Sequence, residues 1–183
     1  YSDALRFASC VAGIDVQGVE AVLATDGGSA EEARAIRALV QRYRTCAPSR
    51  LSIPATIVRG AIAETVWVRA GSDPNPGKRT SVDIAEVESF IKMAPRGESA
   101  VKAGNMPIYW VARCQVMALP DQSAKVLAAP VGSDKEKAEA RLLYANSKLC
   151  GVRDGLGQIP VAAVRSALAD ALYFNQRVVA GRR

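Results

Sequence analysis

Two acidic residues hold the positions in this chain where catalysis is easiest to picture. Glu64 ends the stretch Arg59-Gly60-Ala61-Ile62-Ala63-Glu64, and Asp170 ends Arg165-Ser166-Ala167-Leu168-Ala169-Asp170. Both stretches are small and apolar between a basic and an acidic residue, so each acid projects from an otherwise close-packing helix. Brought face to face, the two carboxylates would form the kind of acid pair with which glycosidases cleave a sugar linkage. Held apart, each is a solvated acid or the partner of an arginine. Arg59 and Arg165 stand one turn into their helices, where a cation gains nothing from the helix dipole. They therefore call for a salt bridge, a contact with carbonyls of a neighbouring loop, or a bound anion, and on the last reading they are candidate anion-binding residues.

Other chemistries are limited by what the sequence lacks. The 183 residues include no histidine, which removes histidine-dependent triads and histidine-containing metal sites. No GxxxxGK[ST] or GxGxxG stretch occurs, and Gly27-Gly28 reads as a helix stop rather than a phosphate loop. The four cysteines lack the CxxC spacing of a zinc site. No metal and no cofactor are expected.

The cysteines instead mark a repeat. Cys10 and Cys46 stand 36 positions apart, as do Cys114 and Cys150. At an offset of 104, Ala8-Cys10 matches Ala112-Cys114, Leu23-Ala24 matches Leu127-Ala128, Gly28-Ser29 matches Gly132-Ser133, and Glu32 and Arg37 match Glu136 and Arg141. After Cys150 the offset becomes 106, and Ile53-Pro54 and Val58-Arg59 match Ile159-Pro160 and Val164-Arg165. These matches predict an all-α fold made by tandem duplication of a four-helix unit with pseudo-twofold symmetry. The repeat occupies residues 4–70 and 108–180 of a single domain, 1–183. Residues 71–107 form a connector, with a loop over 71–82 and a helix from Asp83 through Met93.

Within each copy the elements follow from local signals. Phe7, Cys10 and Val11 predict a helix over Asp3–Ala12. Asp15 caps a second helix through Leu23. Ser29-Ala30-Glu31-Glu32 and Ser133-Asp134-Lys135-Glu136 are capping boxes. The spacing of Ala33, Ile36, Val40 and Tyr43 carries the third helix to about Cys46, with Cys46 on its buried stripe. Pro54 takes the first helical position of a fourth helix reaching Arg69. Gly60, Ala61, Ala63, Ala167 and Ala169 are small enough for close helix approach, which places the seam between copies at these helices. Trp67 and the Tyr109-Trp110 pair read as packing residues.

Four cysteines allow three pairings. A self-contained ancestral unit would pair its own, giving Cys10–Cys46 and Cys114–Cys150. Closing a loop this long stabilises by about 3–4 kcal/mol on the chain-entropy account. Disulfides imply an oxidising compartment, so the chain is expected to be periplasmic or secreted. Buried free thiols in a cytosolic protein are the alternative. The first residue is Tyr1 rather than a methionine, which reads as a processed chain. No apolar run long enough for a transmembrane segment occurs.

Net charge is +6, unevenly spread. Residues 1–70 hold 8 basic and 7 acidic groups, 71–107 hold 5 of each, and 108–183 hold 11 basic and 6 acidic. A basic face around Lys125, Lys135, Lys137, Arg177 and Arg182 would suit an anionic surface or polymer, or simply aid solubility. Nucleic acid is not expected, because no interleaving of aromatic and basic residues accompanies the charge.

At Arg59-Gly60-Ala61-Ile62-Ala63-Glu64, preceded by Cys10, Gly28-Ser29 and Cys46, the first half resembles small, uncharacterised exported proteins of sphingomonad-type alphaproteobacteria. Those carry an early cysteine, a Gly-Ser-x-x-Glu helix start, a second cysteine and an Arg-Gly-Ala-Leu-Ala-Glu-like segment. The resemblance covers residues 4–70 and, more weakly, 108–175. It implies an exported helical protein and brings no activity with it. The second half departs from it at Ser166 and Asp170, which replace the glycine and the glutamate.

The expected role is therefore non-enzymatic, in binding or structure within the cell envelope, with an envelope protein or anionic surface as partner. The alternatives are a carboxylate-dependent cell-wall glycan hydrolase using Glu64 and Asp170, and a basic module for anionic envelope polymers or lipids.

Overall fold

A computed structural model describes residues 1–47, 53–71, 85, 108–152 and 155–181, and every regular element among them is helical. The chain divides into two compact units, Tyr1–Ser72 and Asp73–Arg183. The connector expected over 71–107 lies outside the described residues apart from Gly71 and Ala85.

The first unit contains α1 (Ser2–Ala12), α2 (Val16–Ala24), α3 (Ala30–Arg42) and α4 (Ala55–Arg69). In α1, Ala4, Phe7, Ala8 and Val11 recur at helical spacing and are completely buried. Asp15 caps α2, its Oδ1 accepting from the Gly18 N–H at 2.7 Å. Gly28 turns the chain with φ of 81°, a left-handed conformation that glycine adopts without a Cβ penalty. Ser29 Oγ then accepts from the Glu32 N–H at 3.0 Å, while Glu32 Oε2 accepts from the Gly28 N–H. The Glu32 N–H that the start of α3 leaves open is thus satisfied, and the Glu32 carboxylate in return ties down the turn before the cap. The helix α4 is the most deeply placed, with Val58, Ala61, Ile62, Ala63 and Trp67 all buried. It packs most extensively on α1 and also on α2 and α3.

Two details differ from the sequence expectation. The helix α3 ends at Arg42, where Tyr43 leaves helical geometry (φ −114°, ψ 49°), and the chain turns through residues 43–47. Cys46 is therefore half-buried in a turn instead of lying on a helical stripe. The turn directs Cys46 toward α1, and the Tyr43 hydroxyl donates to Asp15 Oδ2 at 3.0 Å. Pro54 is the N-cap of α4 rather than its first helical residue. Its carbonyl accepts from the N–H groups of Ile57 and Val58 at 2.9 and 3.2 Å.

The second unit contains α5 (Ile108–Ala118), α6 (Pro120–Ala128), α7 (Asp134–Asn146), a 3₁₀ turn (Ser147–Cys150) and α8 (Val161–Gly181). Ser133 caps α7 as Ser29 caps α3: Ser133 Oγ accepts from Glu136 N at 3.1 Å, and Glu136 Oε2 from Gly132 N at 2.6 Å. The chain turns before it at Gly132, φ 77°. The helix α8 packs most extensively on α5. Val164, Ala167, Leu168, Ala169 and Ala171 are buried along it.

Candidate functional site

Arg59, Glu64, Arg165 and Asp170, singled out by the sequence, are each buried within their own unit. Arg59, 4% exposed, reaches from α4 to the end of α2. Its Nη1 donates to the Val22 carbonyl at 2.9 Å, the Thr25 carbonyl at 3.0 Å and Thr25 Oγ1 at 3.1 Å, and its Nη2 donates to the Leu23 carbonyl at 3.1 Å. The last carbonyls of a helix lack intrahelical partners and carry the negative end of its dipole. A planar, permanently charged guanidinium suits them because one fork spans several acceptors.

Arg165, 3% exposed, makes the same clasp from α8 onto the end of α6. Nη1 donates to the carbonyls of Val126 and Ala129 at 3.1 and 2.9 Å, and Nη2 to that of Leu127 at 2.7 Å. Nη1 also meets Glu136 Oε1 at 3.0 Å, with both side chains about equally hidden from solvent. A buried ion pair stabilises only when its remaining polar atoms are satisfied. Here the N–H of Gly132 occupies the other Glu136 oxygen. Both arginines are thus engaged by backbone carbonyls.

Glu64 is buried on α4, and its Oε2 accepts from the Tyr1 hydroxyl at 2.8 Å. Asp170 is buried on α8 in the second unit. Trp67 is buried and Trp110 half-buried, in keeping with packing roles. Cys10 is bonded to Cys46 and Cys114 to Cys150, with Cα separations of 5.7 and 5.6 Å. Among the described residues no group of three or more His, Cys, Asp or Glu side chains is arranged to hold a metal ion. No described helix is long and apolar enough to cross a membrane. Lys125, Lys135 and Lys137 are exposed on α6 and α7, and Lys137 Nζ lies 3.1 Å from Asp134 Oδ1. The side chain of Arg177, and Arg182 entirely, lie outside the described residues.

Two polar locks, apart from the Asp15 cap itself, escaped the sequence reading. In the first unit Asp15 caps α2, accepts from Tyr43, and lies 3.5 Å from Arg42 Nη1. The Gly18 N–H, then the Tyr43 hydroxyl, hold its carboxyl below the ordinary aspartate value. Burial, and then the same contact, raises the Tyr43 phenol. In the second unit Gln115 Nε2 donates to Ser147 Oγ at 2.8 Å, and that hydroxyl donates to the Leu143 carbonyl at 2.6 Å. At the offset of 104, Asp15, Gly18 and Tyr43 correspond to Leu119, Gln122 and Ser147, and Val11 to Gln115. A comparison of the two halves for positions that change together could have revealed both locks. On α5 and α8, Arg113 stacks its guanidinium 4.4 Å from the Phe174 ring centroid.

Comparison with protein-family models, with curated proteins and with solved structures finds no match to this chain.

Proposed function

We propose that this chain is an exported helical protein of the bacterial envelope, built by tandem duplication of a four-helix unit, with a non-enzymatic binding or structural role. The observation that carries the reading is the repeated arginine clasp. Arg59 takes the carbonyls of Val22, Leu23 and Thr25, and Arg165 takes those of Val126, Leu127 and Ala129. These acceptors correspond one to one at the offset that aligns the cysteines. Separate origins would not be expected to put a buried cation on the same helix end by the same bonds. Arg59 and Arg165, the candidate anion-binding residues, serve this framework, which favours a structural role for them over anion binding. Two disulfides suit an oxidising compartment.

The test has two arms. Thiols of the full-length gene product are alkylated in intact cells, and the cells are then fractionated. The protein is expected in the envelope or secreted fraction with all four cysteines protected from reagent. Recovery in the cytosol with reactive thiols would overturn the reading. Incubation with isolated cell-wall glycan is expected to release no soluble saccharide. Release abolished by Glu64→Gln or Asp170→Asn would establish the hydrolase instead. Sedimentation with anionic polymer, lost on Lys125→Glu and Lys135→Glu, would establish the basic surface module.

A further inference from the structure

The two disulfides sit in different surroundings. Cys114 and Cys150 are both fully buried, with Met117 and Ala118 packed against them. Cys150 closes a 3₁₀ turn that packs on α5 and α7. The Gln115–Ser147 and Ser147–Leu143 hydrogen bonds tie that turn down independently of sulfur. Cys10, in contrast, is exposed on α1, and Cys46 is half-buried in the turn after α3, between exposed Arg44 and Thr45 and half-buried Ala47. The helix α1 packs mainly on α4 and less on α2, and the sulfur bridge joins it covalently to this turn.

We propose that Cys10–Cys46 is a thiol–disulfide exchange site, opened by a dithiol reductant under native conditions that leave Cys114–Cys150 intact. A thiolate of the reductant attacks Sγ of Cys10, the more exposed partner. The Cys10–Cys46 bond breaks, and its electron pair leaves on Cys46 Sγ. That thiolate takes a proton from solvent. The second thiol of the reductant then attacks its own sulfur in the mixed disulfide and expels Cys10 as a thiol. Two electrons pass to the protein, and the reductant leaves as a disulfide. The 43–47 turn then keeps the Tyr43–Asp15 hydrogen bond but loses its covalent hold on α1.

The full chain is treated with dithiothreitol without denaturant, quenched with a thiol-alkylating reagent at timed intervals, and mapped by peptide mass spectrometry. Label is expected on Cys10 and Cys46 at least about tenfold faster than on Cys114 and Cys150, because exchange rate follows access to the sulfur. Equal rates, or earlier label on Cys114 and Cys150, would overturn the proposal. The same experiment in low urea separates access from unfolding. A rate for Cys10 and Cys46 that stays flat in urea supports direct attack on an exposed bond. A steep rise would show that the first unit must unfold before reduction, and would also overturn the proposal.

Discussion

Asp15 shows how much one side chain organises locally. It caps α2, receives the Tyr43 hydroxyl and lies near Arg42. Gly18 is part of the same arrangement, because a Cβ there would meet the Asp15 carboxylate and come within 2.9 Å of Leu39 Cδ1. Gly→Ala inside a helix ordinarily stabilises by about 1 kcal/mol. Here Gly18→Ala should instead destabilise by about 1–3 kcal/mol, since it evicts the cap and overpacks Leu39. Urea titration of the two proteins measures the sign. Acid provides a second check. The folded-state pKa of Asp15 lies below its ordinary 3.8, so its contribution is complete above the unfolded value and is lost as pH falls through the lowered folded value. Acid melts of wild type and Asp15→Asn should differ in that window and run parallel above it. The Asp15 cap was legible from the sequence, because a cap bonds to backbone a few residues away. The Tyr43–Asp15 and Gln115–Ser147 contacts join residues distant in sequence, and no single-segment pattern encodes them.

At the scale of elements, the helices were legible where apolar spacing and caps agreed. Ser29 and Ser133 open α3 and α7 where the capping boxes stand. The end of α3 was not legible, because Tyr43 continues the apolar spacing yet leaves the helix to reach Asp15. The side-chain period says which face is buried, not where a tertiary hydrogen bond ends the helix. The second unit has its own titratable reporter in α7. Burial pushes the Tyr144 phenol up to about 12 from an ordinary 10. A raised folded value favours the neutral phenol, so its stabilising effect is complete below pH 10 and is lost as pH rises through about 12. Tyr144→Phe should remove that alkaline loss, as followed by circular dichroism, while the other tyrosines continue to report through tyrosinate absorbance.

For the whole molecule, an all-helical chain with two disulfides was legible from composition, period and cysteine spacing. Arg59 and Arg165 were legible as cations needing a reason, since one turn into a helix the dipole supplies none; their burial was not. Carbonyls were one of the three partners expected, but which carbonyls was not legible, because backbone acceptors leave no signature in residue type. The central claim is that these arginines are the paired framework of a duplicated unit and do not form an anion site. It is tested most directly by measuring unfolding free energy and inorganic phosphate binding for wild type, Arg59→Met and Arg165→Met. Each substitution takes a guanidinium from buried carbonyls, and Arg165→Met strands the Glu136 carboxylate, so losses of about 3–5 kcal/mol are predicted for both. Calorimetry of the wild type should show no phosphate binding that either arginine controls. Variants that keep wild-type stability while losing a measurable phosphate affinity would contradict the account.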